Sequence, residues 1–227
     1  MKVDLSELLR FFDEVPEGSQ GDATAVAQIL GEDLGIALTL RALAERFGDS
    51  CIVARKCTTG KRKGPRLDAW LRATIDGHPT LLQTEIKMWS AHAIGGQKLP
   101  INAPALDVIQ FSKERWRLRW NGQRFRLDAL QKVLRPMRPP TEEKVEPLAC
   151  MWEPILATHI DKIEPLFSVP VHTERFNRVW VFSMSNYIRV LERKIVTLDL
   201  PRAQRRLEWL SSFVSPHGEE SLDKRDA

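Results

Sequence analysis

Two runs of residues on either side of Asp76-Gly77-His78-Pro79 constrain this chain more than anything else in it. Residues 67 to 75 (LDAWLRATI) and 80 to 90 (TLLQTEIKMWS) are rich in apolar and β-forming side chains and are bounded by turn residues, the pattern of a β-hairpin. Side chains alternate between faces along a strand. Asp68, Trp70, Arg72 and Thr74 therefore share one face, and Leu67, Ala69, Leu71, Ala73 and Ile75 the other. In the second run Gln83, Glu85, Lys87 and Trp89 form a polar face, with Leu82, Thr84, Ile86 and Met88 opposite. A hairpin closed at Gly77-His78 brings Asp68 to Glu85 and Lys87. Two carboxylates and a lysine then converge on one sheet face.

The Glu-x-Lys triplet carries little by itself, because it recurs at Glu142-Glu143-Lys144 and Glu192-Arg193-Lys194. Only the copy at 85–87 has apolar strand residues on both sides and an acid on the preceding strand. The plainer reading of these residues is an exposed cross-strand ion pair, which contributes little to stability. Upstream, residues 23 to 47 have the spacing of an amphipathic helix, with Ile29, Ile36, Leu40, Leu43 and Phe47 at three- and four-residue steps. Glu32 falls inside that stripe, and a carboxylate there is costly unless something pairs with it.

Asp68 followed by Glu85-Ile86-Lys87 on adjacent strands resembles the PD-(D/E)xK nuclease superfamily, and the likeness covers roughly residues 22 to 90. The proline that names the family should directly precede the aspartate; here Arg66 and Leu67 separate Pro65 from Asp68. The resemblance implies an α/β, restriction-endonuclease-like core: a mixed central β-sheet flanked by helices, with additional C-terminal strands and helices. It implies Mg²⁺, for which Mn²⁺ can substitute, held by Asp68, Glu85 and the Ile86 carbonyl. Glu32 reaches the same site from the first helix, with Asp33 as its substitute. Lys87 would orient or deprotonate the attacking water, or neutralise charge in the transition state. The implied activity is hydrolysis of phosphodiester bonds, as an endonuclease on DNA, in restriction, anti-phage defence, recombination or repair. A homodimer or a larger protein partner would complete it.

Two basic segments fit a nucleic-acid partner. In Glu114 to Asp128 (ERWRLRWNGQRFRLD), Asn121-Gly122 between alternating runs predicts a hairpin, since both turn positions favour positive φ. That closure sets Arg117 against Arg126 and Arg119 against Arg124, with Arg115 on the same face and the apolar residues opposite. Facing arginines are unfavourable without an anion, and phosphate supplies one. The loop from Gly60 to Arg66 adds Lys61, Arg62, Lys63 and Arg66 just before Asp68. Either segment can equally be a solvated surface.

The remaining features narrow the field. Cys51, Cys57 and Cys150 form no CxxC pair, the five histidines have no zinc spacing, and no Walker-type phosphate loop is present. Trp70 and Trp89 flank the acids and can either stack on bases or pack. The chain of 227 residues is 43% hydrophobic with a net charge of +4, which suits one folded domain over residues 1–214 and a disordered tail over 215–227. No run is apolar enough for a membrane span, and unpatterned cysteines point to the cytoplasm. Residues 127–134 read as a short helix, 136–147 as a linker, and 148–160 and 178–185 as strands of a C-terminal extension over 148–214. A helix follows, capped by Ser185 or Asn186, and a last amphipathic helix runs from Pro201 to Phe213 with Leu207, Leu210 and Val214 on its apolar side. Two other function classes fit the same residues: a non-catalytic nucleic-acid-binding module, and a subunit that docks into a larger complex.

Overall fold

The central hairpin forms, with its turn one residue earlier than expected, which shifts each cross-strand partner by two and keeps the faces. The computed structural model describes residues 1–13, 20–48, 51–56, 67–87, 99–120 and 128–213. Its elements are β1 (Lys2–Asp4), α1 (Leu5–Asp13), α2 (Gln20–Phe47), β2 (Ile52–Lys56), β3 (Ala69–Ile75), β4 (His78–Lys87) and α3 (Ala105–Arg119). They continue with α4 (Asp128–Val133), β5 (Lys144–Met151), β6 (Leu166–Pro170), β7 (Arg178–Ser183), α5 (Met184–Val190), β8 (Ile195–Thr197) and α6 (Pro201–Phe213). Ile75 pairs with His78, so the loop is Asp76-Gly77 alone. Both of its residues have positive φ, 52° and 78°, as a tight two-residue hairpin turn requires.

The main sheet has six strands in the order β2-β3-β4-β5-β7-β6. The β2-β3-β4 half is antiparallel, β4, β5 and β7 run parallel, and β6 returns antiparallel to β7. Side chains on one face of the sheet (Ala69, Leu71, Ile75, Leu82, Cys150, Phe182) pack against α1, α2 and α5. The other face (Trp70, Leu81, Ala149, Met151, Val181) packs against α4, Trp116 of α3 and the 155–157 segment. Both faces are therefore buried, as parallel strands demand. The face of β4 expected to be polar is interior too.

The linker and extension expected from the sequence are corrected by β5. Residues 144–147 belong to a central strand, and β5, β7 and β6 complete the one sheet rather than a separate extension. Pro147 is tolerated because pairing with β7 begins only at Leu148, so its missing N–H interrupts no rung there. The arginine hairpin is also corrected: residues up to Arg119 form α3, whose turns bury Val108, Ser112, Arg115 and Trp116 at three- and four-residue intervals. Trp116 stacks on Trp120 one turn further on, with ring centroids 4.6 Å apart. The cap of α5 is Ser183, whose hydroxyl accepts from the Asn186 amide, and neither Ser185 nor Asn186 takes that place.

Gly31 breaks α2 at φ 59° and ψ −157°, a conformation that side-chain-bearing residues avoid. The break frees carbonyls, and Arg206 of α6 donates its Nη1 to Gln28 O at 2.5 Å and Ile29 O at 2.9 Å. In return, the Asp33 carboxylate accepts the Arg202 amide in the first turn of α6 at 2.5 Å. A Cβ on Gly31 would lie 2.6 Å from Arg206 Nη1. Gly31→Ala is therefore expected to lower unfolding stability by about 1–3 kcal/mol in urea denaturation. An unchanged midpoint would mean that the kink is not needed to seat α6.

Candidate active site

Lys87, Met151 and Ser183 are register partners at the C-terminal ends of β4, β5 and β7, the end of an open α/β sheet where ligands bind. Asp68 arrives at this end from β3. Its amide donates to Thr84 O at 3.1 Å, although Thr84 is already the partner of Ala69. Leu67 and Trp70 share one core while Ala69 and Leu71 share the other, so the alternation of the strand slips at Asp68. Leu67 thus faces the Trp70 side, contrary to strict alternation. The slip turns the Asp68 carboxylate along the sheet, where Oδ2 accepts the Ile86 amide at 2.6 Å. N–H and C=O of one strand residue point to the same side, so the Ile86 carbonyl faces Asp68 as well.

Glu85 is 1% exposed on the face covered by α4. Its Oε1 receives two ammonium groups, Lys87 Nζ at 2.9 Å and Lys132 Nζ at 2.6 Å. Its Oε2 is buried and has no hydrogen-bond partner among the described residues. Lys132 stands on α4, which is held in place by the completely buried Gln83: the amide Nε2 donates to Val133 O and Arg135 O, each at 2.7 Å. Gln83, Glu85 and Lys87 thus act in turn along one face of β4. The Lys132 ammonium is held more basic than usual, chiefly by its hydrogen bond to Glu85. Lys132 and Gln83 were absent from the candidates drawn from sequence; a lysine on a short helix and a strand glutamine carry no signal until α4 is laid across β4.

Burial, and then the neighbouring charge of Glu85, push the Asp68 carboxyl up to about 7. The Glu32 charge adds to this from the α2 side. Glu32 itself is half-buried beside Arg202, with Oε2 3.2 Å from Nη1, and lies just past the Gly31 kink. The kink moves the apolar stripe: Leu34 and Leu38 are fully buried, and Leu40 and Phe47 only partly. Asp33 is committed to α6 and does not substitute for Glu32. Behind the site, the Trp152 amide donates to Lys87 O at 2.9 Å, and the indole Nε1 donates to Asp13 at 2.9 Å. Asp13 also takes Ser185 and Arg189, each at 2.8 Å, so Lys87 ends a strand anchored on both sides.

Among the described residues, no group of three or more His, Cys, Asp or Glu side chains could hold a metal ion together. Mg²⁺ does not need such a group, since it keeps several waters and uses one or two carboxylates. Asp68, Glu85 and the Ile86 carbonyl are hard oxygen donors of that kind, and the unpartnered Glu85 Oε2 is a ready ligand atom. Of the sequence-derived cations, Arg115 is corrected: it is buried 3.7 Å from Glu153 and stacks on Phe111. Arg117 is exposed on α3. Lys61, Arg62, Lys63, Arg66, Arg124 and Arg126, with Trp89, lie outside the described residues. Trp70 is a core residue. Cys150 is buried, and burial pushes its thiol up to about 12, which removes it as a nucleophile. The chain matches no known family model, no curated protein and no solved structure.

The raised Asp68 carboxyl has a stability signature. In the unfolded chain the group titrates near 3.8 and in the fold near 7, so its contribution is present at low pH and lost as pH rises between those values. Asp68→Asn is expected to raise the melting temperature at pH 8, and by clearly less at pH 4.5. Equal shifts at the two pH values would contradict the burial of that charge.

Proposed function

We propose that this chain is a divalent-metal-dependent nuclease that hydrolyses phosphodiester bonds in DNA. One observation carries the reading. Asp68 and Glu85 converge at the C-terminal end of the parallel strands, with one Glu85 oxygen unpartnered and ammonium groups on the other. A helix leading into a mixed sheet that bears Asp68, Glu85 and Lys87 on adjacent strands is also what the sequence resemblance implies. Asp68, Glu85 and the Ile86 carbonyl would hold Mg²⁺, and Glu32 adds negative charge from the helix side. When bound, the ion stabilises charge on the phosphoryl oxygens and makes a water more acidic. Lys87, whose carbonyl is held by the Trp152 amide at the end of β4, orients that water or neutralises charge developing on the phosphate, a role suited to an ammonium kept at the site by Glu85. Exposed Arg117 and the basic loop before Asp68 supply cations for the phosphate backbone.

The competing reading as a docking subunit has its own support. Leu207, Trp209, Leu210 and Phe213 of α6 are exposed, and only Ala203 of that helix is buried. The apolar side expected to pack inward thus faces out, and a partner or a second copy would cover it. Among the described residues, no helix is long and apolar enough to cross a membrane.

The test is incubation with supercoiled plasmid and linear DNA in Mg²⁺, Mn²⁺ or EDTA. Cleavage is expected with metal only, and is expected to fall by at least about a hundredfold in Lys87→Ala and Asp68→Ala, with DNA binding retained. Lys132 still neutralises Glu85 in the Lys87 variant, so the fold should survive. Undiminished cleavage in either variant would reject the assignment; binding without cleavage under every condition would favour the docking or binding module.

A further inference from the structure

We propose that Lys132 is a displaceable counter-cation: it holds Glu85 while no divalent ion is bound, and then passes its ammonium to a phosphate oxygen of the nucleic-acid strand. The second half rests on the nuclease reading; the first rests on the arrangement around Glu85 alone. A carboxylate that is 1% exposed has to be neutralised. Here Lys87 and Lys132 crowd onto Oε1 and leave Oε2 bare. A divalent ion brought to Glu85 meets both positive charges, and one of them has to yield.

The two lysines differ in where their stems begin and modestly in exposure, 34% for the Lys87 side chain against 45% for Lys132. Lys87 belongs to the same strand as Glu85, with its carbonyl held by the Trp152 amide. The side chain of Lys132 is 45% exposed on the outer surface of α4, and a flexible four-carbon stem lets its head swing into solvent. The base of that stem stays put, because Gln83 holds the Val133 and Arg135 carbonyls. The freed ammonium therefore remains within a side chain's length of Glu85. It is a charged three-donor group with no acceptor left, beside the place where a phosphate would approach the two carboxylates. Lysine binds phosphate as a point charge of this kind.

The experiment compares the full chain with Lys132→Gln in two measurements. Calorimetric titration with Mn²⁺ at pH 8 reads the competition at Glu85. Binding of a phosphorothioate DNA duplex in Mn²⁺ across a salt series, the sulfur slowing cleavage while the backbone charge is kept, reads the phosphate contact. Lys132→Gln is expected to bind Mn²⁺ roughly three- to tenfold more tightly. It should bind DNA more weakly, with a salt slope shallower by about one phosphate contact. Mn²⁺ affinity that is unchanged or weaker, or no Mn²⁺ binding by either protein, overturns the proposal. Tighter Mn²⁺ with DNA affinity and slope unmoved overturns the transfer to phosphate. If both quantities move as expected but the unmutated chain cleaves no nucleic acid, the nuclease reading falls and Lys132 stands as the gate of a metal-dependent binding site. If the unmutated chain cleaves and its Mn²⁺ affinity does not respond to Lys132, the gate falls and the nuclease reading survives.

Discussion

A carboxylate inside the protein, at Glu85, is the constraint around which this fold is arranged. Left unpaired, such a charge would cost several kcal/mol. The chain meets that cost by bringing one ammonium along the strand from Lys87 and another across from α4. The second requires α4 to lie over β4 and β5, and Gln83 secures it there. That helix then roofs the second core through Leu130 and Val133. Charge neutralisation and hydrophobic burial thus fix the same element in the same place.

Around this centre, strain and polar anchoring fall where the site needs rigidity. The strand alternation slips at Asp68, which costs regular pairing but turns a carboxylate toward Glu85 and keeps it against burial and like charge. The helix break at Gly31 sets Glu32 and Asp33 on different tasks, one lending its charge to Asp68 and the other capping α6. On the far side, Asp13 accepts from Trp152, Ser185 and Arg189, and Arg189 also donates to the carbonyls of Leu99, Pro100 and Ile101. Burial raises the Asp13 carboxyl even with Arg189 beside it, a sign of how dry this anchor is.

The hairpin was legible because its signal is local. Period-two alternation and the Asp76-Gly77 turn need only neighbouring residues, and assigning the turn one residue late, to Gly77-His78, moved each cross-strand partner by two. The segment around Trp116 misled for the opposite reason. Trp, Arg and Leu at alternate positions read as a strand, but Val108, Ser112, Arg115 and Trp116 also lie on one helical face. Contact with the sheet decides between the two periods. The same competition hid β5, whose Pro147 and flanking prolines look like a linker until β4 and β7 pair with it. Lys132 was illegible because its partner is 47 residues away in sequence.

By itself, then, the sequence determined the α/β class, the β3–β4 hairpin, the helix before it, and the placing of Asp68, Glu85 and Lys87 at one end of adjacent strands. These follow from hydrophobic periodicity and turn chemistry, which act over a few residues. The tertiary structure alone decided that the Glu85 face is buried, that α4 crosses it to deliver Lys132, that Arg115 serves the core, and that α6 turns its apolar side outward. Each of those depends on which surfaces meet after the chain has folded, and burial, unlike periodicity, is a property of the pair of surfaces rather than of either segment.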